Sequence, residues 1–320
     1  MGTLPRSWIK LAHRLGLSPL MRQARHVAEA RGEYLKFRYS GVIWGGPNRP
    51  DILLSARDPY FIWSLIDGDQ SLLARLVNFT LSRSGRMIDL RGPTLYRTYS
   101  GREIWMSNII EEADTCAGYF ERGAPQSGDV AVDVGAYCGE MTLEMAERVG
   151  PAGHVYAMEP DSGNRVLLQK NIDRHGFGNV TILPYGLWNK TADIAFHMMG
   201  NSGSAVQSVG DGSHGDAHLA DIKTLSPGDL FARIEVIPDF IKMDIEGAEV
   251  EAVGALIPLF TAASKPMRMA IASYHMRDGR KTHEIITPML LAAGFTVETG
   301  FPEHPMTWAE IGYSGLQSSP

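Results

Sequence analysis

The run Val132-Asp133-Val134-Gly135-Ala136-Tyr137-Cys138-Gly139-Glu140-Met141-Thr142 reads as a strand, a glycine turn and the start of a helix. Glycine at 135 permits a tight reversal, and glycine at 139 lets backbone approach a ligand closely. N–H groups at the helix start favour an anionic group. Asp133 precedes both glycines, where a pyrophosphate would meet an unwelcome negative charge, so a ligand with a positive end suits the turn better. S-Adenosylmethionine (SAM) carries an ammonium and a sulfonium, and its carboxylate can use the helix start. Glu159, followed by Pro160, ends the next strand-like run 20 residues beyond Gly139. A carboxylate there is placed to accept both hydroxyls of a ribose. The expected cofactor contacts are therefore Asp133, Gly135, Ala136, Tyr137, Gly139 and Thr142, with Glu159 and Pro160.

A second constellation is Asp239-Phe240-Ile241-Lys242-Met243-Asp244-Ile245-Glu246-Gly247-Ala248-Glu249. Phe240 to Met243 reads as a buried strand with Asp244 at its carboxyl end, and ligands of open α/β sheets bind outside such ends. Asp244 and Glu246 are expected to face the sulfonium region, while Gly247 lets the following helix start close by. Glu249 falls on the same helix face as Glu246, although both carboxylates would suit a helix N-terminus without any ligand. Ser273-Tyr274-His275 closes a further strand, so His275 points into the same crevice. Its imidazole, with an ordinary pKa of about 6.5, is the expected base, with Asp244 and Glu246 orienting a hydroxyl or steadying the imidazolium. These four side chains could also hold a divalent metal, but their spacing along the chain is irregular, and no metal ligand is assigned. Tyr185-Gly186-Leu187-Trp188 follows the third strand candidate, where Gly186 and Leu187 can offer an adenine backbone contacts and an apolar wall. Asp58-Pro59-Tyr60 reads as a turn. His214 and His218, in and beside a Gly/Ser/His/Asp tract from Gly200 to Gly215, read as solvated residues of a loop that could close as a lid.

The elements that must position these groups alternate. Strand-like runs at 130–134, 154–158, 179–183, 240–243 and 269–272 are separated by helical stretches at 141–149 and 163–175, and a helix at 281–293 follows. Residues 295–298 and the tail beyond Thr307 supply final strands. Such alternation calls for a parallel sheet covered on both faces. Before Gly128 the texture is α+β: basic amphipathic helices within residues 1–40, and a hairpin in which 94–99 and 103–106 flank Ser100-Gly101. A helix from Ile109 to Phe120 carries Glu111, Glu112 and Asp114, which would reach the cofactor edge. With 320 residues, 44% hydrophobic and 21% charged, the composition excludes collagen, disorder and disulfide frameworks. A net charge of -6 argues against a nucleic-acid partner. Cys116 and Cys138 match neither a CxxC nor a zinc spacing, which points to a reducing cytoplasm. No stretch approaches the roughly 20 apolar residues of a membrane span, and Lys10, His13 and Arg14 break up any signal-peptide core.

Asp133-Val134-Gly135-Ala136…Gly139, Glu159-Pro160 and Asp239 through Glu249 together resemble the FkbM family of class I SAM-dependent methyltransferases, over roughly residues 128–275. The resemblance implies an α/β, Rossmann-like fold: a seven-stranded, mostly parallel sheet with one antiparallel strand. It also implies methylation of a hydroxyl on a sugar or secondary metabolite, as in natural product biosynthesis. The expected organisation is an N-terminal α+β accessory region at 1–125, on the acceptor side, and a SAM-binding methyltransferase domain at 126–320. The expected partner is a small hydroxylated acceptor, and a homodimer is compatible with the sequence. Three other classes compete: a catalytically silent SAM-binding module, an N-methyltransferase of a small molecule, and a nicotinamide-dependent oxidoreductase. The last is disfavoured because the glycine loop lacks GxGxxG spacing.

Overall fold

The computed structural model describes residues 19–38, 41–47, 51–54, 87–89, 92–97, 101–107, 116–198, 205–206, 218–263, 265–302 and 304–312. The chain divides into two compact units, Met1–Glu112 and Ala113–Pro320. In the first, helix α1 (Pro19–Ala30) precedes β1 (Tyr34–Arg38), β2 (Gly41–Gly45), β3 (Asp51–Leu54) and β4 (Met87–Asp89). These form a four-stranded sheet in that order. Buried Trp44 and Ile52 anchor it, and the indole N–H of Trp44 donates to Glu33 at 3.0 Å. Strands β5 (Thr94–Arg97) and β6 (Glu103–Met106) pair antiparallel, with Thr94 opposite Met106 and Arg97 opposite Glu103. This is the hairpin expected around Ser100-Gly101.

In the second unit a short helix, α2 (Cys116–Tyr119), leads to β7 (Val130–Val134), α3 (Glu140–Val149), β8 (His154–Met158), α4 (Ser162–His175) and β9 (Val180–Leu183). An insertion follows: β10 (Gly186–Leu187), β11 (Ala192–Met198), β12 (Ala205–Val206) and β13 (His218–Leu225) form a separate sheet in the order β10-β13-β11-β12. Then come α5 (Pro227–Ile234), β14 (Phe240–Met243), α6 (Glu249–Ala262), β15 (Met267–Ala272), a small hairpin of β16 (Met276–Arg277) and β17 (Arg280–Lys281), α7 (His283–Ala292), β18 (Thr296–Gly300) and β19 (Met306–Ile311).

The main sheet has seven strands in the order β18-β19-β15-β14-β7-β8-β9. From β15 to β9 every neighbouring pair is parallel, whereas β19 runs antiparallel to both β15 and β18. This is the class I methyltransferase sheet. Its central strands are apolar on both faces because both faces are covered. Val132, Ile241 and Met269 pack with Leu230, Leu256, Phe260, Ile286 and Leu290 of helices α5, α6 and α7. Their chain neighbours Ala131, Phe240 and Ala270 turn the other way, onto Met141, Met145 and Val149 of α3 and Tyr119 of α2. Successive strand residues thus alternate between two cores, the two-residue period of a pleated strand.

Caps set the helix starts. Asp161 accepts the N–H groups of Gly163 and Asn164 before α4. Ser226 accepts that of Asp229 before α5, where Pro227 occupies the first turn. Residues 113–125, grouped by sequence with the N-terminal region, belong to the second unit. The reason is packing: Tyr119 is 3% exposed, and its backbone carbonyl accepts the indole N–H of Trp308 at 3.2 Å. Among the described residues no helix is long and apolar enough to cross a membrane.

Candidate active site

The groups singled out in the second unit converge on one edge, at the carboxyl ends of β7, β8, β14 and β15. The order of the sheet reverses at β7, with β8 and β9 on one side and β14 and β15 on the other. The crevice outside such a switch point is where open α/β sheets bind ligands.

The glycine turn is stitched to the end of β8. Gly135 and Ala136 both donate their N–H to Met158 O at 3.0 Å, and the Tyr137 N–H goes to Glu159 Oε2 at 2.8 Å. Gly135 has a φ of 77°, and a Cβ there would lie 1.8 Å from the backbone oxygen of Asp244. Gly139 has a φ of 91°, and its Cβ would lie 2.4 Å from Leu168 Cδ1. Both glycines are required by the fold itself: one admits the end of β14, the other admits α4.

Asp133 is fully buried. Its Oδ2 accepts the Thr142 hydroxyl at 2.6 Å, and its Oδ1 lies 3.0 Å from Lys242 Nζ. Lys242 also donates to Gly135 O at 2.7 Å. The positive partner of the acid before the glycines is therefore the chain's own lysine. Asp133 and Thr142, expected as cofactor contacts, instead brace the turn from within the core, and Ala136, 4% exposed, faces inward with them.

Glu159 is 4% exposed. Its Oε1 accepts the Asp161 N–H at 2.8 Å and its Oε2 the Tyr137 N–H. Burial raises its pKa to about 7, against the opposing pull of those two amides. The Asn164 side chain hydrogen-bonds the carboxylate as well, so of its four lone-pair positions one stays open and a second opens only where a ligand displaces Asn164. Gly186 lies beside Pro160, whose Cγ would be 4.0 Å from a Cβ built on the glycine. Leu187 is not a ligand-facing wall: it packs with Leu183 and Leu225 in the core.

Asp244, Glu246 and His275 are brought together despite their irregular spacing. His275 Nε2 lies 3.5 Å from Asp244 Oδ1 and 3.7 Å from Glu246 Oε1. Its Nδ1 lies 2.9 Å from Oε1 of fully buried Glu249, an oxygen that also accepts the Ile245 N–H at 2.9 Å. Tyr119 Oη donates to Asp244 Oδ2 at 2.7 Å. Burial alone would lower the pKa of His275, but Glu249 and Glu246 outweigh it and hold the value well above the ordinary one. Burial likewise pushes the Glu246 carboxyl upward, with His275 opposing and Asp244 and Glu249 adding to the rise. The ground for naming His275 the base, an unperturbed pKa near the working pH, is therefore removed: its carboxylate neighbours raise the value.

Two participants were not singled out from sequence. Lys242 had a signal, a lone cation in the apolar strand Phe240–Met243, since a buried lysine calls for a paired charge. Tyr119 had none, because its contact spans 125 residues of chain. Asp58-Pro59-Tyr60, Glu111, Glu112, Asp114 and His214 lie outside the described residues. His218 opens strand β13.

A profile of the methyltransferase FkbM domain matches residues 133–297. A probable cobalt-precorrin-6B C(15)-methyltransferase (decarboxylating) of Methanothermobacter thermautotrophicus is 39% identical over 90 residues, which are 27% of this chain and 45% of that protein. The match thus spans less than half of that relative's length. Two solved structures are similar at low identity. A methyltransferase FkbM from Methylobacillus flagellatus KT shares 21% identity at a TM-score of 0.44, over 62% of this chain and 48% of the other. A precorrin-6Y C5,15-methyltransferase from Geobacter metallireducens GS-15 shares 14% identity at a TM-score of 0.40, over 65% and 93% of the two chains.

Proposed function

Because the chain belongs to the FkbM methyltransferase family, with residues 133–297 matched, we propose that it is a SAM-dependent methyltransferase whose acceptor is a hydroxyl of a small molecule. The observation that carries this reading is the gathering of Asp244, Glu246 and His275 against the glycine turn, where the Asp244 carbonyl crowds Gly135. The residues at the turn fit SAM. Glu159 would hold the ribose diol, the start of α3 the carboxylate, and backbone near Gly186 the adenine. When bound, SAM supplies a methyl group made electrophilic by its sulfonium.

The chain's own contribution is mainly positional. Asp244 and Glu246 offer carboxylate oxygens to an acceptor O–H and hold its oxygen at near-attack distance, a source of large rate gains when both partners are fixed. Tyr119 keeps Asp244 from swinging away. The test is incubation of the full chain with methyl-labelled SAM and hydroxylated metabolites, with products analysed by mass spectrometry and NMR. An O–CH3 product is expected, and Asp244→Asn should lower turnover by about 10²-fold with SAM affinity little changed. Label on nitrogen or carbon would overturn the hydroxyl assignment. SAM binding with no transfer to any acceptor would leave a silent binding module.

SAM affinity should also depend on pH through Glu159. Its carboxyl is raised to about 7 in the free protein, so below that pH it is mostly protonated. A ribose diol donates to the charged form and pulls the pKa down on binding. Affinity should therefore rise as pH increases from about 5.5 to 7.5, approaching tenfold per unit at the acid end. Titration calorimetry in buffers of different ionisation heat should find a proton released near neutral pH; flat affinity with no proton release would remove Glu159 from the ribose site.

A further inference from the structure

We infer that Asp244, Glu246 and His275 form a binding site for a first-row divalent cation of the Mn2+ or Zn2+ kind, at the carboxyl ends of β14 and β15. One donor atom from each of the three lies within 4.8 Å of the others. The separations from His275 Nε2, 3.5 Å to Asp244 and 3.7 Å to Glu246, are too long for hydrogen bonds. They are close to what two ligands of one cation require. With metal–ligand distances of about 2.1 Å, neighbouring ligands stand about 3.0 Å apart in an octahedron and about 3.4 Å apart in a tetrahedron. A contraction of a few tenths of an ångström would bring His275 Nε2 and each carboxylate to such spacings, and the two carboxylates, within 4.8 Å of each other, would close in with them.

The polar atoms facing this point are independently unsatisfied. Asp244 Oδ1 and His275 Nε2 are buried, and neither makes a hydrogen bond. Native interiors rarely leave such atoms unpaired, and a single cation would satisfy both. The His275 side chain is only 9% exposed, while Asp244 and Glu246, at 26% and 31%, open the point to solvent from one side.

Two of the three donors, His275 and Asp244, have partners behind them. Glu249 Oε1 stands 2.9 Å from His275 Nδ1, close enough that a small rotation of the ring aligns the carboxylate–histidine–metal arrangement and presents Nε2 to an ion, although Nδ1 makes no hydrogen bond in the present orientation. Tyr119 holds the second oxygen of Asp244. Charge agrees with geometry. Asp244, Glu246 and Glu249 bring three carboxylates together, and among the described residues His275 is the cationic side chain within ion-pair distance of any of them. The two basic residues nearest along the chain are committed elsewhere: Lys242 to Asp133, and Arg277 to Glu251 at 2.7 and 2.8 Å and to Gly247 O at 2.7 Å. One imidazole nitrogen with two carboxylate oxygens suits Mn2+ or Zn2+ better than Ca2+, which takes an all-oxygen shell.

Three protein ligands leave coordination positions open, as in catalytic rather than closed sites. The site's existence does not depend on the hydroxyl reading, but its use does. An acceptor hydroxyl taken up at an open position would lose its proton to solvent more readily, since a bound cation lowers the pKa of a coordinated oxygen.

The test begins with chelation and dialysis of the full chain, followed by titration with Mn2+ alone, free ion being read by electron paramagnetic resonance. One saturable Mn2+ per chain is expected, competed by Zn2+. His275→Ala and Glu246→Gln should each weaken it by at least about tenfold, while SAM affinity, measured separately, attests that each variant is folded. The absence of saturable binding, or binding unchanged in both folded variants, overturns the site. Full turnover by the chelated chain, with Mn2+ binding confirmed, overturns hydroxyl activation and leaves the site standing. Methylation found only on carbon or nitrogen would overturn the hydroxyl reading without touching the titration.

Discussion

Replacement of Glu159 by alanine is expected to weaken SAM binding at least tenfold while the protein stays folded. Two hydroxyl donors of the ribose would each lose a bond to a charged acceptor, worth about 1.5–3 kcal/mol apiece. The upper end of that range is not expected in full. Both oxygens already accept a backbone N–H, from Asp161 and Tyr137, the Asn164 side chain occupies a further position, and burial disfavours the charged form. The same two amides lose their acceptor in the variant, so thermal unfolding should be recorded beside the calorimetric titration. A folded Glu159→Ala protein with undiminished affinity would place the ribose elsewhere and remove the strongest argument for the cofactor's orientation.

Removing Lys242 should have the largest effect on stability. Lys242 and Asp133 are 3% and 0% exposed and stand opposite one another in neighbouring strands. The ammonium lies 3.0 Å from the carboxylate. Lys242→Met leaves that carboxylate buried with the Thr142 hydroxyl but no counter-charge, a change that typically costs about 3–5 kcal/mol. The double variant Asp133→Asn with Lys242→Met removes both charges and should recover much of the loss. Urea denaturation of the two singles and the double measures the coupling. If Lys242→Met unfolds within about 1 kcal/mol of the parent, the pair is not what secures the turn. SAM binding should weaken alongside stability, because Lys242 also holds the Gly135 carbonyl.

The parallel core of the sheet is readable from the chain because its strands are short unbroken apolar runs, and a strand covered on both faces has no polar face to confuse the pattern. Val130–Val134 and Phe240–Met243 fall where the runs predict. The insertion from β10 to β13 is not readable in this way. Its strands carry exposed polar residues such as Asp193, Asp221 and Lys223, and its pairing joins segments far apart in sequence. Site residues follow the same division. Types and strand ends mark Glu159, Asp244 and His275 without help. What each glycine accommodates, which cation faces Asp133, and how carboxylates shift an imidazole are set by contacts across the sheet, to which spacing along the chain is blind.

The pairing of β7 with β14 has a consequence for synthesis. Asp133 emerges from a ribosome 109 residues before Lys242, the residue it faces. A nascent chain that has reached Leu183 can already lay β7, β8 and β9 side by side. In that intermediate the Asp133 carboxylate has no counter-ion and the Gly135 carbonyl has no lysine donor. Until β14 slides in along the open edge of β7, the turn has nothing to close against. Long-range closure of this kind slows folding and makes the half of the sheet that carries the glycine turn dependent on β14 for its own completion. A fragment ending before β14 should therefore be unable to bind SAM, and the cofactor in turn can stabilise only chains that have been made through β14.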